Sequence, residues 1–406
     1  MHVVFVEPAF PSNQGEFVRA LSEVGAQVTA IGEAPIEALP RSLERWLDAY
    51  EQVPSVVHQP SLEKAVGMIQ ERGPVDRLEG TVEAHMTAIA KVREACGIPG
   101  TSVRTTFLCR DKPAMKEVLR EAGVPTAQST GATSAEEVRA FAEEVGYPLI
   151  LKPHDAAGAA GTYRVDDDEE LEQAILATHV DHGVSTAVEE FIEGHEAFYD
   201  TLTASGEVVH EFISHYYPNV LEAMRTRWIS PQIITTDRVD AEAYEQVREL
   251  GKKVISVFGI DTSATHMEWF FGPRGLKFSE IACRPPGVGV WDLYGAANDL
   301  DLYVEWARLI TRGETPARAS RQYAAGMISL RPDRDGTITG YEGLEEIERA
   351  FAPHILDMHI PPTGSTTQGV EGGYMANAYI RLRHPDYDEL HRMMDQIGET
   401  VQMRAE

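Results

Sequence analysis

The chain has 406 residues, 43% of them hydrophobic, and a formal net charge of −28. That is apolar material for two or three packed domains, while the acid excess argues against a nucleic-acid ligand, whose phosphates need a basic face. No run is apolar for long enough to span a bilayer, the start lacks a signal peptide's basic region, and the three cysteines (Cys96, Cys109, Cys283) have no CxxC spacing, so a cytoplasmic protein without a cysteine zinc site is expected.

MHVVFVE reads as a buried strand, GEFVRALSEVG as an amphipathic helix ending in glycine, and AQVTAIGE as the next strand, which makes an opening β-α-β unit. The loop between them, PAFPSNQG, lacks the GxGxxG that brings backbone against a pyrophosphate, so this unit is not expected to be a nicotinamide site. SLEKAVGMIQERG and TVEAHMTAIAKVREACG continue it as helices. In RDKPAMKEVLREAGVPTAQ, Asp111 is placed to cap a helix, Pro113 fits its first turn and Gly123 ends it. SAEEVRAFAEEVG predicts another helix, and YPLILKP a short strand with Lys152 near its end. DAAGAAGTYRV is a loop of small residues leading into a strand. DDDEELEQAILATH is a helix whose acidic run is a solvated face. TAVEEFIEGHEAFYDTLTASGEVVHEFIS reads as strands broken by turns at GH and SGE. AEAYEQVRELGKKVISVFG is helical, and ATHMEWFFGPRGLKFSEIA is a hairpin about GPRG. After residue 315, strands around AAGMISL and GGYMANAYIRL and a closing helix, DYDELHRMMDQIGETV, form a smaller α+β tail.

Several of these stretches fall in one order, and together they resemble the ATP-grasp superfamily, in which two α+β subdomains close on ATP. The resemblance covers most of the chain. DKPAMKEVLREAGVPT is similar to the family's first motif, whose lysine touches nucleotide phosphate, here Lys112. YPLILKP is similar to the strand bearing a second phosphate lysine, Lys152. DAAGAAGT resembles the flap over the β and γ phosphates, which implies contacts from Gly158, Ala160, Gly161 and Thr162, with His154 as an extra donor. VEEFIEGHE resembles the hinge strand. It implies that Glu189 accepts from the adenine amino group, that backbone from Glu190 through Phe191 to Ile192 reads the adenine edge, and that Glu196 holds the ribose hydroxyls. THMEWF and FSEIACRPPG resemble the strand pair carrying the magnesium carboxylates, Glu268 and Glu280, and an arginine, Arg284. The family commonly has an asparagine ligand two residues after the second glutamate, where this chain has Ala282.

The chemistry of these residues agrees with the resemblance. ATP brings about four negative charges, so a chain this acidic must supply lysine, arginine and metal locally. Lys152 at a strand end can aim its ammonium at phosphate, although a lone lysine there would as readily snorkel to the surface. Gly158 and Gly161 leave backbone N–H groups open to phosphate, or make a plain hairpin turn. Strand alternation puts Glu189 and Phe191 on one side, with Glu190 and Ile192 on the other; Glu196 is a ribose ligand or an exposed turn carboxylate according to register. Two glutamates across a hairpin offer magnesium hard oxygen ligands and tolerate each other only around a cation. Arg284, four beyond Glu280, shares its face in an extended strand and would brace the transferring phosphoryl group; Cys283 points away and packs. His266 shares the face of Glu268, as metal ligand, substrate contact or structural hydrogen bond.

The resemblance implies an α/β N-terminal domain over 1–108, a two-subdomain ATP-grasp domain over 109–315 with its flap at about 130–195, and a C-terminal α+β subdomain over 316–406. It implies activation of a carboxylate as an acyl phosphate and transfer to an amine, releasing ADP and phosphate, and the pattern is most similar to the amino-acid ligase branch. A biotin carboxylase-like or purine-synthesis-like enzyme with another nucleophile, a kinase, and a non-catalytic nucleotide-binding protein are the alternatives. ATP and Mg2+, or Mn2+ in its place, are the implied cofactors. A small carboxylate and a small amine are the partners, with no nucleic acid or membrane; a homodimer is allowed but not required. For the substrate, SHYYPNVLEAMRTRWISPQ offers Arg227 beside Trp228, and His266, Gly287 and Gly289 complete the expected contacts. The acid excess over scarce lysine also suits a high-salt host. In that case the melting temperature will not fall when KCl is raised from dilute to molar; a fall identifies an ordinary acidic protein.

Overall fold

A computed structural model describes residues 1–153, 161–224, 226–370 and 377–406. Strands β1 (His2–Val6), β2 (Gln27–Gly32), β3 (Ala49–Gln52) and β4 (Arg77–Glu79) form a parallel sheet in the order β3-β2-β1-β4. Its central strands are continuous apolar runs because both faces are covered. Leu62, Val66 and Ile69 of the helix Gln59–Arg72, with Ile89 and Val92 of the helix Met86–Cys96, pack with Val4, Val6 and Ile31. On the other face Phe17 of the helix Gln14–Glu23 packs with Val3 and Phe5, and its ring also meets Trp291, Tyr303 and Trp306 at centroid distances of 4.9–5.1 Å. With Phe5 against Trp306 and the Arg19–Asp301 ion pair at 2.8 Å, this ring packing ties the first domain to the rest of the molecule.

Strands β5 (Ser129–Ala132), β6 (Leu149–Pro153), β7 (Tyr163–Val165) and β8 (Thr186–Glu190) form a second, antiparallel sheet in the order β5-β8-β6-β7. Leu149, Leu151 and Val188 face the helices Ala135–Val145 and Asp168–Thr178. Alternation sends Ile150, Lys152, Ala187 and Glu189 to the opposite face, toward a cleft.

The third sheet has eight strands: β9 (His195–Ala204), β10 (Glu207–Tyr217), β11 (Gln232–Thr235), β12 (Ser263–Gly272), β13 (Gly275–Ala282), β14 (Ala324–Leu330) and, beyond the two strands named next, β16 (Ile355–His359) and β17 (Ala378–His384). Their order is β13-β12-β9-β10-β11-β14-β17-β16, while β15 (Ile338–Glu342) and β18 (Gln402–Ala405) pair as a separate ribbon. The expected tail therefore extends the same sheet: β14 pairs with β11, and the helix Tyr387–Thr400 covers the added strands with Leu390, Met394 and Ile397. This covers what would otherwise be an exposed strand edge at β11. The helices Lys112–Glu121 and Glu245–Phe258 pack on the sheet against Tyr199, Met267 and Trp269. Gly251 is needed there, since a Cβ would stand 2.3 Å from the Tyr199 ring. The second and third sheets are latched where Glu190 takes Lys277 at 2.6 Å and Arg274 at 2.5 Å. No helix among the described residues is long and apolar enough to cross a membrane.

Within the first domain Arg93 donates to Glu79 at 2.6 Å and to the Leu78 carbonyl at 2.7 Å, all buried. Arg93→Met strands a buried carboxylate and is expected to lower the unfolding free energy by about 3–5 kcal/mol in urea titration. Adding Glu79→Gln should recover much of that loss; equal losses in the single and double variants would refute the pairing.

Candidate active site

The second and third sheets enclose a cleft of about 450 Å³. Of the chain's eight lysines, Lys112, Lys116 and Lys152 line it. The Asp111 side chain accepts from the Ala114 N–H at 2.9 Å and starts the helix Lys112–Glu121, so Lys112 and Lys116 fall one turn apart on the cleft face. Lys116, nearly buried, reaches Glu189 at 2.6 Å; Lys112 is ion-paired with Glu280. Burial works against every charge here. Glu280 stays below the usual carboxylate range because Lys112 outweighs that burial, and Glu189 does so through Lys116 and then Lys112. Lys112 is held above the usual lysine range despite burial, chiefly by Glu280. At Lys152 burial and then the neighbouring Lys112 push the pKa down, against the pull of Glu280 and Glu189.

The floor is the hairpin β12–β13 with β9. Glu268 pairs directly with Glu280, and His266 with Ala282. His266 Nδ1 lies 2.8 Å from Asp200 Oδ1 and Nε2 lies 3.6 Å from Glu268 Oε1; Asp200 also accepts from the Tyr294 hydroxyl at 2.6 Å. Burial opposes the charge on His266, but Asp200 and then Glu268 raise its pKa to about 10. Glu196, on the same face, accepts from the Val220 N–H at 2.7 Å. Burial, then the nearby Glu268, raise its pKa to about 8. Beyond the end of β13, Arg284 also lines the cleft, where its Nε donates to Glu83 Oε2 of the first domain at 2.7 Å; Arg110 pairs with the same carboxylate. Behind it the thiols of Cys109 and Cys283 lie 2.9 Å apart, both buried.

Lys112, Lys152, Glu189, His266, Glu280 and Arg284 are thus brought to one cleft, with Glu268 and Glu196 beside it. Several expectations are corrected. The strand stops at Glu190, and beyond it the Phe191 ring lies under Arg164 at 4.3 Å. The Glu190 side chain is taken by the latch to Arg274 and Lys277. Glu196 is no exposed turn carboxylate but is buried. Arg227 is ion-paired with Asp335, and neither it nor Gly287 or Gly289 is among the residues lining the cleft. Gly289, at φ +69°, precedes the helix Val290–Asn298 with Arg381 packed where a Cβ would stand. Gly161 makes a turn at φ +69° and Thr162 follows it, while His154, Gly158 and Ala160 lie outside the described residues.

Residues that sequence reading passed over are Lys116, Glu83, Arg110 and Asp200. Lys116 carried a signal, as a scarce lysine four residues after Lys112 on one helix. Glu83 and Asp200 carried none, being one acid each among 64. Among the described residues no three His, Cys, Asp or Glu side chains form a ready-made metal cage. The donor set nevertheless suits a small hard cation: two carboxylates are paired across a hairpin, and the Lys112 ammonium stands in for the cation at one of them.

Residues 117–299 match the family model described as the ATP-grasp domain. The L-arginine-specific L-amino acid ligase of Bacillus subtilis is 27% identical over 311 residues, covering 75% of this chain and 74% of its own length. The alanine–anticapsin ligase of Bacillus subtilis (strain 168) is 28% identical over 218 residues, covering 48% of this chain and 44% of its own. The solved L-amino acid ligase from Bacillus licheniformis superposes with a TM-score of 0.76 at 18% identity, over 100% of this chain and 98% of the other, a likeness of fold.

The raised pKa of Glu196 has a stability consequence in the ligand-free protein. Its folded value, about 8, exceeds the ordinary carboxylate value of 4.5, so the folded chain holds a proton that the unfolded chain has released. Its contribution is present below pH 4.5 and is lost as pH rises through about 8. Glu196→Gln removes this dependence, so the melting temperature of the variant relative to the parent should climb across that window; a constant difference would contradict the burial of this carboxylate.

Proposed function

Since residues 117–299 match the ATP-grasp domain model, we propose that this protein is an ATP-dependent carboxylate–amine ligase, with an amino acid or another small carboxylate as the activated substrate. One observation carries the reading: a single cleft is lined by three of the chain's eight lysines, by Arg284 and by Glu280, with Glu268 paired across the hairpin from Glu280. The relatives' ligase activity supports it.

In this reading the ATP phosphates compete with Glu280 for Lys112 and take Lys152, whose ammonium is already disfavoured by burial and by Lys112. The N–H groups of Glu190 and Phe191 are committed to the carbonyls of Gln128 and Pro148, which leaves the Glu190 carbonyl and the Ile192 N–H to read adenine. Glu189, held by Lys116, accepts from the adenine amino group, and Glu196 faces the ribose. Glu268 and Glu280 would hold Mg2+ or Mn2+, which supplies charge neutralisation of the phosphates.

A substrate carboxylate oxygen attacks the γ phosphorus, and the bond from phosphorus to the ADP oxygen breaks. Arg284 and the lysines take up charge on the transferring group, and Glu83 holds Arg284 in place from the first domain. The amine nitrogen then attacks the acyl carbonyl, phosphate leaves with the C–O electron pair, and the amine sheds a proton. Alignment and electrostatics suffice, so no covalent protein residue is required. The free thiols of its three cysteines suit a reducing cytoplasm.

Phosphate release from ATP should require a carboxylate and an amine together, with an amide seen by mass spectrometry. A pooled screen of amino acids and small amines checks this, and release driven by bicarbonate alone would redirect the assignment. Arg284→Ala should lower turnover roughly 100-fold or more while changing ADP affinity far less. Undiminished ADP formation in that variant would remove Arg284 from the reaction.

A further inference from the structure

Two Cys-Arg dipeptides, 174 residues apart in the chain, meet beside the cleft. Cys109 precedes Arg110 and Cys283 precedes Arg284; Arg110 pairs with Glu83 Oε1 and Arg284 with Glu83 Oε2, and the two thiols lie 2.9 Å apart. We propose that this dithiol is a site of oxidative modification, which a peroxide converts to a Cys109–Cys283 disulfide that slows the enzyme and that a reductant reverses. The effect on activity rests on the ligase reading above; the cross-link itself does not.

The fold brings these sulfurs together from separate elements. Cys109 follows the helix Val103–Leu108 and stands two residues before Asp111, the cap that starts the Lys112 helix. Cys283 directly follows β13. Both are buried in one core with Met115, Leu119, Phe278 and Ile281. The hydrogen bond to Cys283 and then burial hold the Cys109 thiol above its usual range, so the pair rests protonated. A single buried thiol of this kind is inert. Here the second sulfur is in place to capture the first oxidation product. Cys109 also lines the cleft, which gives a small peroxide its route. With hydrogen peroxide, the Cys109 sulfur attacks one oxygen, the O–O bond breaks, and water leaves with the thiol proton to give a sulfenic acid. The Cys283 sulfur then attacks that sulfur, the S–O bond breaks, and a second water leaves with the Cys283 proton. The thiols lose two electrons and two protons, and the peroxide becomes two waters. Glu83 already joins the same two segments reversibly through Arg110 and Arg284; the disulfide makes the junction covalent and draws the sulfurs to about 2.05 Å. It thereby fixes the start of the Lys112 helix against the strand end carrying Arg284, groups that must both fit the transferring phosphoryl group. Misplacement of such groups by about 1 Å can cost roughly 100-fold in rate. Disulfides that form in a reducing compartment are typically transient and redox-sensing in this way.

The test uses the full chain, whose three cysteines are free. After treatment with hydrogen peroxide, a thiol reagent added to the denatured protein should find only Cys96, and a peptide map should show Cys109 joined to Cys283 with the loss of two hydrogens. Amide formation should fall about 10–100-fold on cross-linking and return with dithiothreitol. Cys109→Ala and Cys283→Ala should keep their reduced-state activity through the same treatment, whereas Cys96→Ala should lose it as the parent does. Three titratable thiols after peroxide, sulfinic acid without a cross-link, or a cross-link that leaves turnover unchanged would each overturn the inference. Absence of amide from the reduced parent would overturn the ligase reading instead, and the peptide map of the parent then decides the modification by itself.

Discussion

Five acids, Glu189 and Glu280 lining one cleft and Glu196, Asp200 and Glu268 beside it, set the constraint around which the site is built, which is their mutual repulsion. Three are neutralised by a specific cation: Glu189 by Lys116, Glu280 by Lys112 and Asp200 by His266. Glu268 shares His266 at longer range, and Glu196 is pushed toward its neutral form. Like charges this close do not coexist without such partners. The lysines come from the helix Lys112–Glu121, Glu189 from the second sheet and Glu280 from the third, so charge pairing decides how three elements distant in sequence are arranged.

The same logic extends outward. Arg284 and Arg110 share Glu83, so the cleft is completed by the first domain, which also docks through Phe17 among three aromatic rings and through the Arg19–Asp301 ion pair. Glu190, next to the cleft glutamate, has its side chain on the other side of the strand, where Arg274 and Lys277 take it. Adjacent glutamates on one strand thus do different work: one points at a ligand and the other fastens two sheets. Alternation of side chains across a strand makes that division unavoidable.

Much of this was legible in the residues. The Asp111–Pro113–Gly123 spacing marks a helix that the structure begins at Lys112, because the cap and the proline each satisfy a local need of the first turn. GPRG marks the hairpin that brings Glu268 opposite Glu280. The less local features were not. Arg227 pairs with Asp335, more than 100 residues away, a contact that spacing cannot announce. The tail reads as a separate α+β unit because its strands are regular, whereas their partner, β11, is set by edge pairing.

The sequence by itself determined the elements, the lysine and glutamate motifs and the gap at Ala282, since each depends on residue type and spacing within one or two turns or strands. Only the tertiary structure decided which charges meet. Lys116 chooses Glu189, Arg284 chooses Glu83, and His266 takes Asp200. Those choices belong to strand register and sheet order, which bring together groups between about 66 and 201 residues apart in the chain. Coulomb attraction in a partly buried cleft depends on separation in space, and on distance along the chain not at all.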